Sequence, residues 1–170
     1  MSAHRLRASA KSREESAWTV LASVLDPEVP ALSVVDLGIV REVAIAGDGQ
    51  LDVVLTPTYS GCPATEAIEA DIGAALARAG LGPARIRYRL APPWTTAWIS
   101  DEGRRKLSEY GIAPPLDADT AVVHFRPRSV ACPRCQSART ERLSAFGSTA
   151  CKSMYRCLDC REPFEHFKAI

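Results

Sequence analysis

The sequence predicts an α+β chain in two parts: a small mixed α/β domain, ordered helix, β-hairpin, helix, strand, short helix, strand, followed by a short cysteine-clamped module. Three observations predict it. Apolar residues recur at helical spacing behind Ser12 and again behind Cys62. Two apolar-rich runs, 39–45 and 51–56, flank the turn-forming Gly47-Asp48-Gly49. Four of the six cysteines fall in two Cys-x-x-Cys pairs, Cys132 with Cys135 and Cys157 with Cys160.

A chain of 170 residues suffices for one compact domain of about 120 residues plus an appendage too short to fold without a metal staple. The expected division is a flexible basic leader at 1–11, an α/β domain at 12–126 and the cysteine module at 127–170. The net charge of +1 hides an asymmetry, because residues 127–170 hold eight Lys or Arg against four Asp or Glu. Four thiolates on one divalent ion would halve that excess, which leaves a weak footprint for nucleic acid. No run approaches the ~20 apolar residues that cross a bilayer, and residues 1–11 carry no apolar export core, so the expected compartment is the reducing cytoplasm.

The elements follow in order. Ser12-Arg13-Glu14-Glu15 reads as a capping box, and Ala17, Trp18, Leu21, Val24 and Leu25 supply the inward stripe of the first helix until Pro27 stops it. Asp26-Pro27-Glu28-Val29-Pro30 is an extended turn, since each proline fixes its own φ and drives its predecessor out of the helical region. The hairpin comes next. A second helix is expected with Cys62 at its cap, Pro63 at its first helical position and a stripe of Ala64, Ile68, Ile72, Ala75 and Leu76, closed by Gly80. Arg85–Leu90 alternates as a strand that buries Ile86, Tyr88 and Leu90 and leaves Arg85, Arg87 and Arg89 on a solvated face. After the Pro92-Pro93-Trp94 loop, Ser100 caps a short helix over 101–110 with Leu107 and Tyr110 inward. Residues 111–119 read as a linker and 120–125 as a last strand before Pro127.

Each Cys-x-x-Cys turn aims two thiolates at one ion, and the loop between the pairs matches two knuckles on a short hairpin, as in zinc ribbons. Cys132, Cys135, Cys157 and Cys160 are therefore the expected metal ligands, with structural zinc as the first choice and iron as an alternative for the same sulfurs. Cys151 lies between the pairs, either as a substitute ligand or as a free thiol. Cys62 stands apart. A helix N-terminus favours a thiolate, and Gly61 lets the chain bend sharply before it, although a buried structural cysteine is an equal reading. Asp26 and Glu28 could lend carboxylate oxygens to a metal or partner, but Asp most often caps a turn. No Ser nucleophile elbow, phosphate loop or Glu-x-x-His pair of a di-iron site occurs, so the chain lacks the parts of a self-sufficient catalyst.

Asp26-Pro-Glu-Val-Pro30, Ser33-Val-Val-Asp-Leu-Gly-Ile-Val-Arg41 and Thr56-Pro-Thr-Tyr-Ser-Gly-Cys-Pro63 resemble the small α/β family of iron-sulfur assembly factors, over about residues 15–110. Pro93-Trp-Thr-Thr-Ala-Trp-Ile-Ser100, Gly111-Ile-Ala-Pro-Pro115, Phe146-Gly-Ser-Thr-Ala-Cys-Lys152 and Glu162-Pro-Phe164 are similar to the PaaD family, the D proteins of bacterial phenylacetyl-CoA epoxidase systems. The resemblance implies an accessory role in phenylacetate catabolism beside a multicomponent di-iron monooxygenase, by maturing metal centres rather than by catalysis. Implied partners are the epoxidase components, above all the iron-sulfur flavoprotein reductase, and the iron-sulfur assembly machinery. Nucleic acid and membrane are not expected partners, and a homodimer is left open. Carried over, Cys62 is the ligand for a transient iron or iron-sulfur cluster, with Asp26 and Glu28 beside it. The alternatives implied are a structural epoxidase subunit or an iron-binding electron carrier.

Overall fold

The structure is a computed structural model that describes residues 3–59, 61–116 and 129–169. The chain forms two compact units, Met1–Trp94 and Thr95–Ile170. The expected boundary at 126/127 and the expected strand at 120–125 lie outside the described residues.

In the first unit, helix α1 (Ala3–Leu21) leads to strand β1 (Val40–Ile45), strand β2 (Leu51–Leu55), helix α2 (Thr65–Arg78) and strand β3 (Ala84–Tyr88). The sheet order is β1-β2-β3. The β1–β2 pair is the expected antiparallel hairpin, and β2–β3 is parallel, which requires the crossover that α2 provides. Both helices pack on this sheet and on each other. Val53, fully buried, pairs with Val43 on one side and Ile86 on the other, so these positions form the apolar face. The α2 stripe is as expected, with Ala64, Ile68, Ile72, Ala75 and Leu76 all buried.

Four expectations are corrected here. Helix α1 already runs from Ala3, so the leader is helical within the described residues and the capping box does not form. Ser12 sits mid-helix with its carbonyl accepting from Ser16 Oγ at 2.8 Å. Its neighbours tie the helix to the sheet instead: Glu14 Oε1 accepts the Ile45 N–H at 3.0 Å, and Arg13 Nη1 donates to the Gly49 carbonyl at 3.1 Å. Because α1 ends at Leu21, Leu25 falls out of phase and is exposed, while Ala17, Leu21 and Val24 are buried. Strand β3 lies at the sheet edge, and Tyr88 and, just beyond it, Leu90 are exposed rather than buried; the three arginines are exposed as expected, but each is ion-paired. Arg85 and Arg87 both pair with Asp52 of β2, the parallel neighbour of β3, and Arg89, just beyond β3, pairs with Glu42 of β1. Such exposed pairs each contribute at most about 1 kcal/mol.

In the second unit, helix α3 (Asp101–Tyr110) follows a single 3-10 turn at Thr96–Trp98. Ser100 caps α3 as expected, its Oγ accepting the Gly103 N–H at 2.9 Å. Leu107 is fully buried but Tyr110 is 58% exposed, so only one of the two expected inward residues packs. Gly111 ends the helix at φ 90°, a left-handed conformation suited to glycine. The expected linker then begins as a strand, β4 (Ile112–Ala113), which pairs in parallel with β7 (Pro163–Phe167). With β5 (Thr140–Ser144) and β6 (Lys152–Cys157), these make a sheet of order β4-β7-β6-β5.

Candidate metal centre and the isolated thiol

The two cysteine turns lie at one end of the ribbon, where the start of β5 pairs with the end of β6. Cys132 and Cys135 precede β5, whereas Cys157 ends β6 and Cys160 lies in the turn to β7. In each turn the chain folds back on itself through backbone bonds: Gln136 N–H to Cys132 C=O at 2.9 Å, Cys132 N–H to Ser137 C=O at 2.9 Å, and Cys157 N–H to Glu162 C=O at 3.0 Å. The reversal needs a left-handed residue after the second cysteine of each pair, and Gln136 (φ 61°) and Arg161 (φ 66°) take it without glycine. Polar ties join one turn to the other. Asp159 accepts from Ser137 Oγ and from Arg139 Nη1, the latter at 2.8 Å, and Leu158 N–H donates to the Arg139 carbonyl at 2.8 Å.

The four sulfurs converge. Cys132, Cys135, Cys157 and Cys160 Sγ all lie within 4.8 Å of one another, with Cys132 and Cys160 at 3.8 Å and Cys135 and Cys157 at 3.5 Å. A tetrahedral ion with metal–sulfur bonds of about 2.3 Å sets its sulfurs about 3.8 Å apart, so the arrangement fits such an ion with little closure. Cys132 and Cys157 are buried against Ala113, Val130 and Phe164, while Cys135 and Cys160 face solvent.

Electrostatics argue for a cation. The Cys160 backbone amide, and then that of Asp159, overcome burial and bring the Cys157 thiol down to about 7. Cys160 accepts the Glu162 amide, which favours its thiolate, yet partial desolvation by the packed turn and the sulfurs of Cys157, Cys135 and Cys132 push it up to about 12. Cys135 accepts the Ser137 amide but is likewise raised, chiefly by Cys157. One thiolate thus suppresses ionisation of its neighbours, and a divalent ion removes that repulsion.

Cys151 is outside this cluster. It is buried, with its sulfur 3.1 Å from Thr149 Oγ1. His166 is also buried, its Nδ1 3.3 Å from Ser153 Oγ, and burial lowers its pKa to about 4, so it is neutral at pH 7.

Cys62 is not at the helix cap. Helix α2 begins at Thr65 after Ala64, and the Cys62 carbonyl accepts from Thr65 N–H at 3.2 Å and Thr65 Oγ1 at 2.7 Å. Pro63 and Ala64 extend the turn before the first helical residue, which sets Cys62 too early to cap. The bend before it is as expected, with Gly61 at φ 91°, and Cys62 is half-buried and free of disulfide. Asp26 is a turn cap: Oδ1 accepts the N–H groups of Glu28 at 2.8 Å and Val29 at 2.7 Å. Among the described residues the four ribbon cysteines form a metal-competent group, and Cys62, Asp26 and Glu28 do not form one.

An ordering device missed in the sequence reading lies in the same unit. Asp36 Oδ2 accepts from Ser33 N–H at 3.0 Å and Ser33 Oγ at 2.8 Å, and Ser33 Oγ accepts the Asp36 N–H at 3.0 Å, with both residues buried. The Ser-x-x-Asp spacing is the signal that could have found it.

Comparison with known proteins divides the chain in the same two directions. Residues 14–86 match the family described as iron-sulfur cluster assembly protein, and residues 117–168 match the PaaD zinc beta ribbon domain. Over 166 residues, 98% of this chain and 99% of the relative, it is 45% identical to an Escherichia coli K12 protein named as a subunit of a "Putative 1,2-phenylacetyl-CoA epoxidase". Over 95 residues, 55% of this chain and 90% of the relative, it is 32% identical to an Fe-S protein maturation auxiliary factor of Porphyromonas gingivalis. Among solved structures, the domain of unknown function DUF59 from Bacillus anthracis aligns with 59% of this chain and 96% of that one, at 24% identity and a TM-score of 0.55, which is a likeness of fold.

Proposed function

The chain belongs to the PaaD family, and from that premise we propose that it is an accessory protein of the phenylacetyl-CoA epoxidase that assists insertion of iron or an iron-sulfur cluster into the reductase or oxygenase. The observation that carries this is the pairing in one chain of an iron-sulfur-assembly half with a lone, half-buried Cys62 and a ribbon whose four sulfurs converge. A closed four-sulfur site suits a resident ion, while a single open thiol suits a cargo that must leave. The relative named as a maturation factor supports the same reading for residues that include Cys62.

In this reading Cys132, Cys135, Cys157 and Cys160 hold zinc. The ion supplies no reaction step; it neutralises the thiolates and fixes the ribbon. Cys62 takes the iron or cluster as cargo and gives it up to the client, with Gly61 setting the bend that presents the sulfur. Asp26 holds the turn that carries Glu28, its Oδ1 accepting two amides, and in this reading the Asp26 and Glu28 carboxylates are the oxygen ligands offered to the cargo.

Transfer of radioactive iron to metal-free reductase tests this reading. Wild type is expected to speed loading, whereas Cys62→Ser loses the transfer and keeps the ribbon's zinc. Equal transfer by the variant overturns the role of Cys62. A second reading, a structural epoxidase component, draws on the word subunit in the relative's name, and it predicts normal client loading with lost epoxidase activity.

A further inference from the structure

Phe146–Lys152 takes no part in the metal centre, yet it folds into a built loop that ends in an exposed ring. Phe146 is 64% exposed. Gly147 N–H donates to Lys152 C=O at 2.8 Å and Lys152 N–H to Thr149 C=O at 3.2 Å, closing the loop. Beneath it Glu165 of β7 accepts the Ser148 N–H on Oε1 at 2.5 Å and the Lys152 ammonium on Oε2 at 3.0 Å, with Lys152 itself buried. A Cβ on Gly147 would meet Glu165 Oε1 at 2.5 Å, so any larger residue there would displace that carboxylate from its partners. Lys168 holds the far side: its N–H donates to Cys151 C=O at 2.9 Å, and its Nζ donates to Ala145 C=O at 3.3 Å while lying 4.5 Å above the Phe146 ring.

Leu143, three residues before Phe146 in the chain, is a second exposed apolar side chain of this ribbon. It is the extra residue of a β-bulge between Arg142, opposite Tyr155, and Ser144, opposite Met154, and it is 51% exposed. A bulge turns a side chain out of the ladder.

Little of this construction is explained by core packing. A buried ion pair gains little beyond its own desolvation, and a ring 64% exposed buries only a minor part of its apolar area. A rigidly held, exposed aromatic is what a binding anchor requires, since its ordering cost is met before the partner arrives. Charge indicates what covers it. Lys168 lies over the ring and Arg142 precedes Leu143, and among the described residues no carboxylate pairs with either. A second copy of the chain would bring the same two cations to the contact, which disfavours self-association here.

We propose that Phe146, with Leu143, Arg142 and Lys168, is the anchor by which the chain docks a partner protein presenting an aliphatic side chain flanked by carboxylates. That this partner is an epoxidase component rests on the function proposed above; the chemistry of the anchor does not.

The test uses the full-length, metal-loaded, 15N-labelled chain and two probe peptides, acetyl-Ala-Glu-Leu-Glu-Ala-amide and its lysine counterpart. The acidic peptide is expected to shift the amide signals of Gly147, Ser148 and Lys168 in a saturable way, the basic one to shift none, and Phe146→Ser and Lys168→Glu to abolish the effect. In a second arm, sedimentation velocity measures binding to the purified reductase and oxygenase, and Phe146→Ser is expected to weaken it at least tenfold with metal content unchanged. Absence of shifts with the acidic peptide, binding of the variant as tight as wild type, or dissociation of a homodimer by Phe146→Ser each overturns the anchor. Peptide docking without binding to either component supports the anchor and overturns the epoxidase reading instead.

Discussion

Cys135 Sγ lies 3.5 Å from Cys157 Sγ, across the two turns rather than within one, at a sequence separation of 22. The contact closes the ribbon onto its own start, and it places two thiols where only a cation can keep both ionised.

One bound ion per chain is therefore expected, lost in Cys157→Ser and retained in Cys62→Ser. Structural zinc sites supply about 10–16 kcal/mol of apparent folding free energy, so the variant's ribbon should lose its dispersed NMR signals while those of residues 10–94 persist. Elemental analysis together with a 15N spectrum checks it. A Cys157→Ser protein with a native ribbon spectrum would contradict the metal-clamped module.

Acidification should release the ion. The thiols must be deprotonated to bind, Cys157 sits at about 7 and Cys135 lies above its ordinary value, so protons compete more strongly as pH falls. Apparent affinity is expected to fall by about tenfold or more per pH unit from 7 to 5, measured by competition with a chromogenic chelator. A flat profile would mean that the sulfurs are not the ligands.

Gly147→Ala should destabilise the ribbon by about 1–3 kcal/mol, the range for forcing a group into filled space. The obstacle is Glu165 Oε1, held by Ser148 and Lys152, rather than the backbone angle of Gly147. In a Glu165→Ala background the same change should therefore cost less by at least about 0.5 kcal/mol, a coupling that denaturant unfolding of the metal-loaded single and double variants resolves.

Arg161→Gly should stabilise the ribbon by about 0.5–1 kcal/mol, since a left-handed arginine carries a steric cost of about 1–2 kcal/mol and glycine returns only part of it to the unfolded chain. Arg161→Val should do the reverse. Thermal unfolding of the metal-loaded proteins ranks the three.

Much of this was legible where a residue's role is local. The stripe from Ala64 to Leu76 follows from helical spacing alone, the β1–β2 hairpin from Gly47-Asp48-Gly49, and the α3 cap from Ser100. The ribbon was legible for the same reason, because each knuckle is a four-residue turn. Errors came where a distant segment decides. Ser12 and Glu15 satisfy the capping-box pattern, but Arg13 and Glu14 reach the hairpin and favour continuing the helix upstream. Arg85, Arg87 and Arg89 are exposed as their alternation predicts, but their carboxylate partners, Asp52 of β2 and Glu42 of β1, are supplied by the sheet and not by local sequence. Strand β4 is two residues long, too short for any periodicity, and exists only because β7 offers an edge. The cap lies two residues beyond Cys62, at Ala64, because Pro63 is as much at home in a turn as in a first helical turn.

The most direct test of the maturation role is the iron and sulfide content of the epoxidase reductase and oxygenase purified from cells with and without this chain. Markedly lower loading of at least one component in its absence, restored by wild type but not by Cys62→Ser, is the predicted result. Full loading of both components in its absence, with epoxidase activity lost, would contradict it.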